Sequence, residues 1–308
     1  MILCFDIGGS WIKSAVAHAP DRIDIGARHP TPADDFADFA AILEAELAAL
    51  PARPDCIAIS MTGVVEPETG IITCANIPSI NRRHLQADLE AILGLPVVIA
   101  NDADCFVLAE AGMGAGRGHR VVLGIILGSG VGGGVVIDGR LINQNGGFAG
   151  EWGHGPILAR EAGDPPVAIP AYACSCGQKA CVNTLGGARG IERLHLHLHA
   201  EAATSSAIVD AWQAGDARAA RTVSVYVDLI ASPLALAVNI TGASIVPAGG
   251  GLSNSRELLA EIDQTVRRRI LRYISRPLVV RAECEIEPGL MGAALMGLER
   301  SRHGRHLA

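Results

Sequence analysis

The feature that most constrains this chain is a unit that occurs twice. Residues 2–17, ILCFDIGGSWIKSAVA, read as an apolar strand, a tight glycine turn and a second strand. Residues 121–141, VVLGIILGSGVGGGVVIDGRL, repeat that order, with glycine turns starting near residues 8 and 128. A third apolar strand, in SIVPAGGGLS (244–253), also ends in glycines. Two such units predict two similar α/β domains facing a cleft. The glycine-rich stretch GMGAGRGHR at 112–120 marks the boundary, which places the domains at 1–115 and 116–289. At 308 residues the chain is long enough for each domain to bury its own core.

The segments between the turns alternate in type. Residues 34–50 set Phe36, Phe39, Ala40, Leu43, Leu47 and Leu50 at three- and four-residue steps, an amphipathic helix stopped by Pro51. CIAISM (56–61) is a strand, 84–93 a helix with Leu85, Leu89, Ile92 and Leu93 on one face, and PVVIA (96–100) a strand running into a helix at NDAD. Strands alternating with helices predict a mixed or mostly parallel sheet covered by helices. The apolar stretch 229–240 holds Pro233 and is too short to span a bilayer, so it reads as a buried helix. No signal peptide opens the chain, and a cytoplasmic protein with no membrane partner is expected. A formal charge of −7 argues against a nucleic-acid surface. Arg267, Arg268 and Arg269 lie in a predicted amphipathic helix and read as a solvated face or a subunit contact. LHLHLH (194–199) would align its histidines as metal ligands only in a strand; its flanks are helical, where residues two apart do not share a face.

Three constellations carry chemistry. The glycine turns DIGGSWIK (6–13) and LGSGVGGG (127–134) let backbone amides approach a phosphate, beside Ser10 and Ser129. Neither is GxxxxGK[ST], and neither opens a clear helix, which argues against a P-loop and a dinucleotide fold. Asp6 and Asp102 end strands, the rim where α/β folds bind ligands. Asp102 can orient or deprotonate a hydroxyl, or cap its helix; Asn101 suits the cap better. The third group is Glu151, His154, Cys174, Cys176 and Cys181. Three cysteines in CSCGQKAC, with Gly177 for the turn, fit a metal better than disulfides, and Cys3His is a tetrahedral zinc set. His154 lies twenty residues upstream of Cys174 and is the less secure member. The other five cysteines, Cys4, Cys56, Cys74, Cys105 and Cys284, stand singly in apolar contexts.

These segments, in this order, resemble the ROK family of repressors and sugar kinases over essentially the whole chain. DIGGSWIK looks like its first phosphate motif, NDAD like NDAN, and LGSGVGGG like its second phosphate loop. EWGHGP and CSCGQKAC look like its zinc signature, and PAGGGLS (247–253) like its adenosine-proximal motif. The resemblance implies a two-domain actin/hexokinase-like (ribonuclease H-like) ATPase fold with an interdomain cleft. It implies a final helix, about 290–308, packing back on the first domain, and a homodimer. The activity implied is a sugar kinase acting on the 6-hydroxyl of a hexose or N-acetylhexosamine with ATP and Mg2+. Asp102 would be the base. Gly63, Asn76, Asn101, Glu151, His154 and Asn183 would meet the sugar. Asp6, Gly8, Gly9, Ser10 and Lys13 would line the phosphate–magnesium side with Gly128, Ser129 and Gly130. Gly249, Gly250 and Gly251 would lie near the adenosine. His154, Cys174, Cys176 and Cys181 would hold a structural Zn2+.

ANIPS (75–79) and NDAD look closest to N-acetylglucosamine kinases, while EWGHGP resembles fructose/mannose kinases; glucose is a further alternative. Family repressors carry a helix-turn-helix before the first motif. Asp6 follows Met1 by five residues, so a kinase is expected over a DNA binder, with a weak sugar-binding regulator as the rival. Three positions depart from the pattern. Asn183 replaces a sugar-contacting glutamate, Ala180 replaces a glycine and suggests a different turn, and Asp104 adds a charge near the cleft.

Overall fold

The computed structural model describes residues 1–144 and 146–305, and the chain divides into two compact units. Unit 1 holds Met1–Arg117, Gly139–Ala149 and the chain from Cys284 onward; unit 2 holds Gly118–Asp138 and Gly150–Glu283.

The chain opens with β1 (Ile2–Ile7), β2 (Trp11–Ala19) and β3 (Arg22–Pro30), then α1 (Phe36–Ala48) and β4 (Cys56–Met61). The short pair β5 (Val64–Val65) and β6 (Ile72–Thr73), α2 (Leu85–Leu93), β7 (Val97–Asn101) and α3 (Asp102–Met113) follow. The strands form a sheet in the order β3-β2-β1-β4-β7. β1 runs antiparallel to β2 and parallel to β4, and β4 parallel to β7. Side chains alternate across this sheet. Leu3, Phe5 and Ile7 join Phe39, Leu43, Leu85 and Leu89 beneath α1 and α2. Ile2 and Cys4 face the other way, into a layer of small residues that includes Ala15, Ala17, Cys56 and Ala58. Asp6 shares that second face by the same period.

In unit 2, β8 (Val121–Leu127) and β9 (Val131–Ile137) make the second hairpin, and β10 (Arg140–Leu141) falls in the segment that belongs to unit 1. Unit 2 resumes with β11 (Glu161–Ala162), β12 (Val167–Ala168), α4 (Ala188–His199), α5 (Ser205–Gln213) and α6 (Ala217–Thr241). It closes with β13 (Val246–Gly249), α7 (Arg256–Arg269) and β14 (Val279–Arg281). The order β9-β8-β13-β14, antiparallel then twice parallel, reproduces β2-β1-β4-β7. The repeat in the sequence is thus a repeat of sheet topology.

α6 is longer than the stretch 229–240 suggested. Its stripe of buried residues starts earlier, at Ala219, Thr222, Val223 and Tyr226. Asp216 caps it by accepting the Ala219 N–H at 2.8 Å, and Gly242 ends it in the left-handed conformation, φ 68°. Among the described residues it is the one helix long and apolar enough to cross a membrane. Its most apolar window is 61% buried inside the fold, as a core helix is.

The histidines of LHLHLH are on helix α4. The rings of His195 and His199 meet at a tilt of 58° with centroids 4.9 Å apart, and their nitrogens lie 2.8 and 3.2 Å from Thr222 Oγ1. Arg267, Arg268 and Arg269 engage Asp263, Thr265 and Asp228 of their own unit. The last helix, α8 (Pro288–Arg305), packs on β1, β4 and α3 of unit 1. Two glycines permit this contact. A Cβ on Gly297 would stand 2.4 Å from Ile2 Cγ2, and one on Gly292 would stand 2.2 Å from the Cys105 carbonyl oxygen.

Candidate active site

In unit 1 the parallel strands end abreast. Ile7 pairs with Met61, and Met61 with Asn101, so the residues just beyond them gather at one edge of the sheet, where α/β folds place ligands. Asn101 closes β7 and caps α3: its Oδ1 accepts the Ala103 N–H at 2.8 Å and its Nδ2 donates to Gly63 O at 3.1 Å. Gly63 holds φ 119°, and a Cβ there would lie 2.8 Å from the Thr73 carbonyl oxygen. Asn76 donates to Thr62 Oγ1 at 3.3 Å, and its Cβ lies 3.3 Å from where a Cβ of Gly9 would stand. Gly9, Asn76, Gly63 and Asn101 are therefore neighbours. Asp102 stands exposed in the first turn of α3, with Oδ1 2.9 Å from the Ala103 nitrogen.

The glycine turn of the first hairpin is held from the side. Gly8 donates to Trp11 O at 2.9 Å, and Thr31 Oγ1 donates to Gly8 O at 2.7 Å. Asp6 accepts from Ser60 Oγ at 2.9 Å and lies 3.7 Å from Lys13 Nζ, while Lys13 also engages Glu287. Gly289, in the first turn of α8, leaves room for the Asp6 carboxylate; a Cβ would be 2.2 Å from Oδ1. Ser60, Thr31 and Glu287 were not foreseen. Ser60 had a signal: it is the one hydroxyl in the apolar strand CIAISM. Asp104, expected to charge the cleft, is only 5% exposed and accepts from Asn143 Nδ2 at 2.7 Å within unit 1.

In unit 2 the Gly128–Gly130 turn is packed by backbone. A Cβ on Gly250, φ 85°, would stand 2.4 Å from Leu127 C and 2.6 Å from Gly128 N. Gly249 pairs with Ile126, and Gly251 starts a single 3-10 turn with open space around it. The first amide of α4, Ala188 N–H, donates to Gly128 O at 2.7 Å. The three glycines 132–134 serve packing instead: they lie within β9, where Trp152 meets Gly132 and Gly133 and the Gly150 backbone lies against Gly134. Trp152 Nε1 donates to Gly132 O at 2.9 Å, and a Cβ on Gly133 would be 2.7 Å from Trp152 Cδ1. This contact fixes the segment that carries Glu151 and His154.

His154, Cys174, Cys176 and Cys181 bring four ligand atoms within 4.8 Å of one another. Cys176 Sγ and Cys181 Sγ are 3.6 Å apart, and His154 Nδ1 and Cys174 Sγ 3.7 Å. Tetrahedral zinc bonds of ~2.3 Å to sulfur and ~2.05 Å to nitrogen imply edges of about 3.5–3.8 Å. The donor set and its spacing fit zinc. Gly177, φ 88°, makes the turn, donating to Cys174 O at 3.0 Å. Ala180 keeps a left-handed φ of 58°, so the substitution retains a glycine-like turn, straining it by about 1 kcal/mol.

Burial opposes ionisation of Cys174, but the Cys176 amide, the Asn183 side chain and the two other thiols bring it down to about 6. Burial and the Cys176 and Cys174 thiols push Cys181 up, against the Gly155 backbone. His154 presents its other nitrogen, Nε2, 3.7 Å from Glu151 Oε2. Burial raises the Glu151 carboxyl, against a smaller lowering by His154. Asn183, expected at the sugar, accepts the Val131 N–H at 2.8 Å and points its amide nitrogen at Cys174 Sγ, 3.7 Å away.

A family model described as the ROK family matches residues 2–300. The chain is 34% identical to the N-acetylgalactosamine kinase AgaK of Shewanella sp. (strain ANA-3), covering 95% of each protein. It is equally, 34%, identical to the N-acetyl-D-glucosamine kinase of Pectobacterium atrosepticum, over 96% of this chain and 98% of that one. The ROK hexokinase from Thermus thermophilus has a similar structure, with a TM-score of 0.83, 27% identity, and coverage of 98% of this chain and 99% of that one.

Proposed function

The chain belongs to the ROK family and is a sugar kinase with the two-domain α/β fold of actin and hexokinase; from that premise we propose that it phosphorylates the 6-hydroxyl of N-acetylglucosamine. Its reaction is the ATP-dependent phosphorylation of a hexose or an N-acetylhexosamine. The observation that supports phosphorylation of a sugar hydroxyl beside Asp102 is the gathering of Gly63, Asn76, Asn101 and Asp102 at one edge of the unit 1 sheet.

Asp102 accepts the proton of the 6-hydroxyl as its oxygen bonds to the γ-phosphorus and the bond to the departing ADP breaks. An ionised carboxylate at a helix N-terminus is a weak resting base. It takes the proton late, after the phosphorus–oxygen bond has begun to form. Gly63, Asn76, Asn101, Glu151 and His154 bind the sugar. Amides of the turns at Gly8–Ser10 and Gly128–Gly130, with Lys13, offset phosphate charge, and Gly249–Gly251 lie near the adenosine. Bound Mg2+, near Asp6, supplies neutralisation of the transferring phosphoryl group. Bound Zn2+ would supply a closed structural centre that holds residues 151–154 and 174–183 as one piece. His154 Nδ1 faces the cluster, which leaves Nε2 and Glu151 to meet sugar hydroxyls.

The motifs ANIPS and NDAD support N-acetylglucosamine, and the N-acetylgalactosamine kinase of Shewanella makes the C4 epimer the main competitor. A coupled ADP-release assay across N-acetylglucosamine, N-acetylgalactosamine, glucose, mannose and fructose tests the reading. The highest kcat/KM is expected for N-acetylglucosamine. Asp102→Asn is expected to lower kcat by about 10²–10⁴ with little change in sugar KM. Turnover on none of these sugars would favour a sugar-binding regulator, and a fully active Asp102→Asn protein would remove Asp102 as the base.

A further inference from the structure

Asn183 is the point at which this chain departs from the ROK pattern in its sugar contacts, and its side chain is engaged at both ends inside unit 2. Oδ1 accepts the Val131 N–H at 2.8 Å, and Nδ2 is directed at Cys174 Sγ at 3.7 Å. A Cβ on Gly130 would stand 2.3 Å from Oδ1, so the amide is seated against the glycine turn itself. The backbone of Asn183 also donates to Gly153 O at 2.8 Å, one residue before His154. A single residue therefore touches the glycine turn, the segment bearing Glu151 and His154, and the sulfur cluster.

The amide suits this place because its two ends differ. The Val131 N–H needs an acceptor, and a metal-bound thiolate is stabilised by a donor. An ionised glutamate offers only acceptors and would set a negative charge beside the sulfur. Asparagine at 183 gives up a charged sugar contact and in return can hold both neighbours.

We propose that Asn183 is a positioning residue that couples the metal cluster to the glycine turn, so that zinc binding and the order of Gly128–Val131 rise together. The coupling is reciprocal: whatever loosens the turn weakens zinc, and removing zinc loosens the turn. Its consequence for ATP rests on the kinase reading, whereas the coupling itself does not.

The full-length protein is measured as wild type, Asn183→Ala and Asn183→Asp. The readouts are zinc affinity by competition with a chromophoric chelator and amide exchange across residues 128–132, with and without zinc. Asn183→Ala is expected to lose about tenfold or more in zinc affinity, as outer-shell changes do. Its turn should exchange as fast with zinc as that of the zinc-stripped wild type, with no further rise on stripping. Asn183→Asp keeps the acceptor for Val131 and loses the donor to sulfur. With its link to the sulfur cut, it should lose zinc affinity and exchange at 128–132 at the same rate with and without zinc, and it carries the test if the alanine variant does not fold. Wild-type exchange at 128–132 that ignores zinc would overturn the proposal. So would an Asn183→Ala protein with unchanged zinc affinity and a change confined to sugar KM, which would make Asn183 a sugar contact. A chain that turns over no sugar would end the kinase reading and leave these measurements intact.

Discussion

At the scale of single residues, polar groups buried for packing are distinguishable from those arranged for chemistry. His195 is 5% exposed and packs tilted against His199, with Thr222 between their nitrogens. Burial lowers its pKa from the ordinary 6.5; His199 and Arg218 act the same way, against Glu201 and Asp216. The folded state therefore binds fewer protons than the unfolded one. Stability is fully present above pH 6.5 and is lost as the pH falls from there through the lowered folded value. Thermal melts taken between about pH 7.5 and 5 should show Tm falling less in His195→Gln than in the wild type. Equal slopes would place the acid sensitivity elsewhere. Asp6 follows the other pattern. Its partners, Ser60, Lys13 and the space left by Gly289, hold a carboxylate at the end of β1 and leave it accessible.

At the scale of elements, the glycines divide by task. Those of 128–130 turn the chain, Gly132 and Gly133 admit Trp152 onto β9, and Gly250 brings the end of β13 onto the second turn. Gly250→Ala would force a Cβ to 2.4 Å from the Leu127 backbone at a φ of 85°. Backbone against backbone yields little, so about 1–3 kcal/mol of stability should go. The urea midpoint is expected to drop and KM for ATP to rise more than KM for the sugar. Wild-type values for both would mean that the two segments do not pack as described. Helix α6 teaches a related point about length. Its buried stripe begins at Ala219, but Arg218, Arg221 and Ser224 break up the apolar run there, so hydropathy alone marked only its second half.

At the scale of the whole chain, sequence order and structural membership differ. Residues 139–149 and everything from Cys284 belong to unit 1. Glu110, wholly buried, accepts the N–H of Ala115 at 2.9 Å and of Cys284 at 2.8 Å, fastening two distant stretches of unit 1. Leu290, Ala293 and Ala294 of α8 cover Ile2, Cys4 and Ala58. Truncation after Glu283 should therefore unfold unit 1, whose remaining segments end at Ala149, and leave unit 2 folded. Amide exchange is the check: β1 and β4 should lose protection while β8 and α6 keep it. Protected β1 and β4 in the truncated chain would show that α8 is dispensable.

The sequence by itself determined the repeated strand–turn–strand unit, the alternation of strands and helices, the cysteine cluster and the placing of Asp102 where a strand passes into a helix. Each rests on local periodicity or on donor types close together in the chain, which need no knowledge of packing. Only the tertiary structure decided which glycines are turns and which are contact surfaces, because that depends on whether another backbone or Trp152 lies against them. It also decided that Asp104 is spent inside unit 1, that Ser60 and Gly289 hold Asp6, and that Asn183 faces Val131 and Cys174. Except for Cys174, nine residues before Asn183, those partners lie tens to hundreds of residues apart, and no periodicity in the chain records a contact made at that distance.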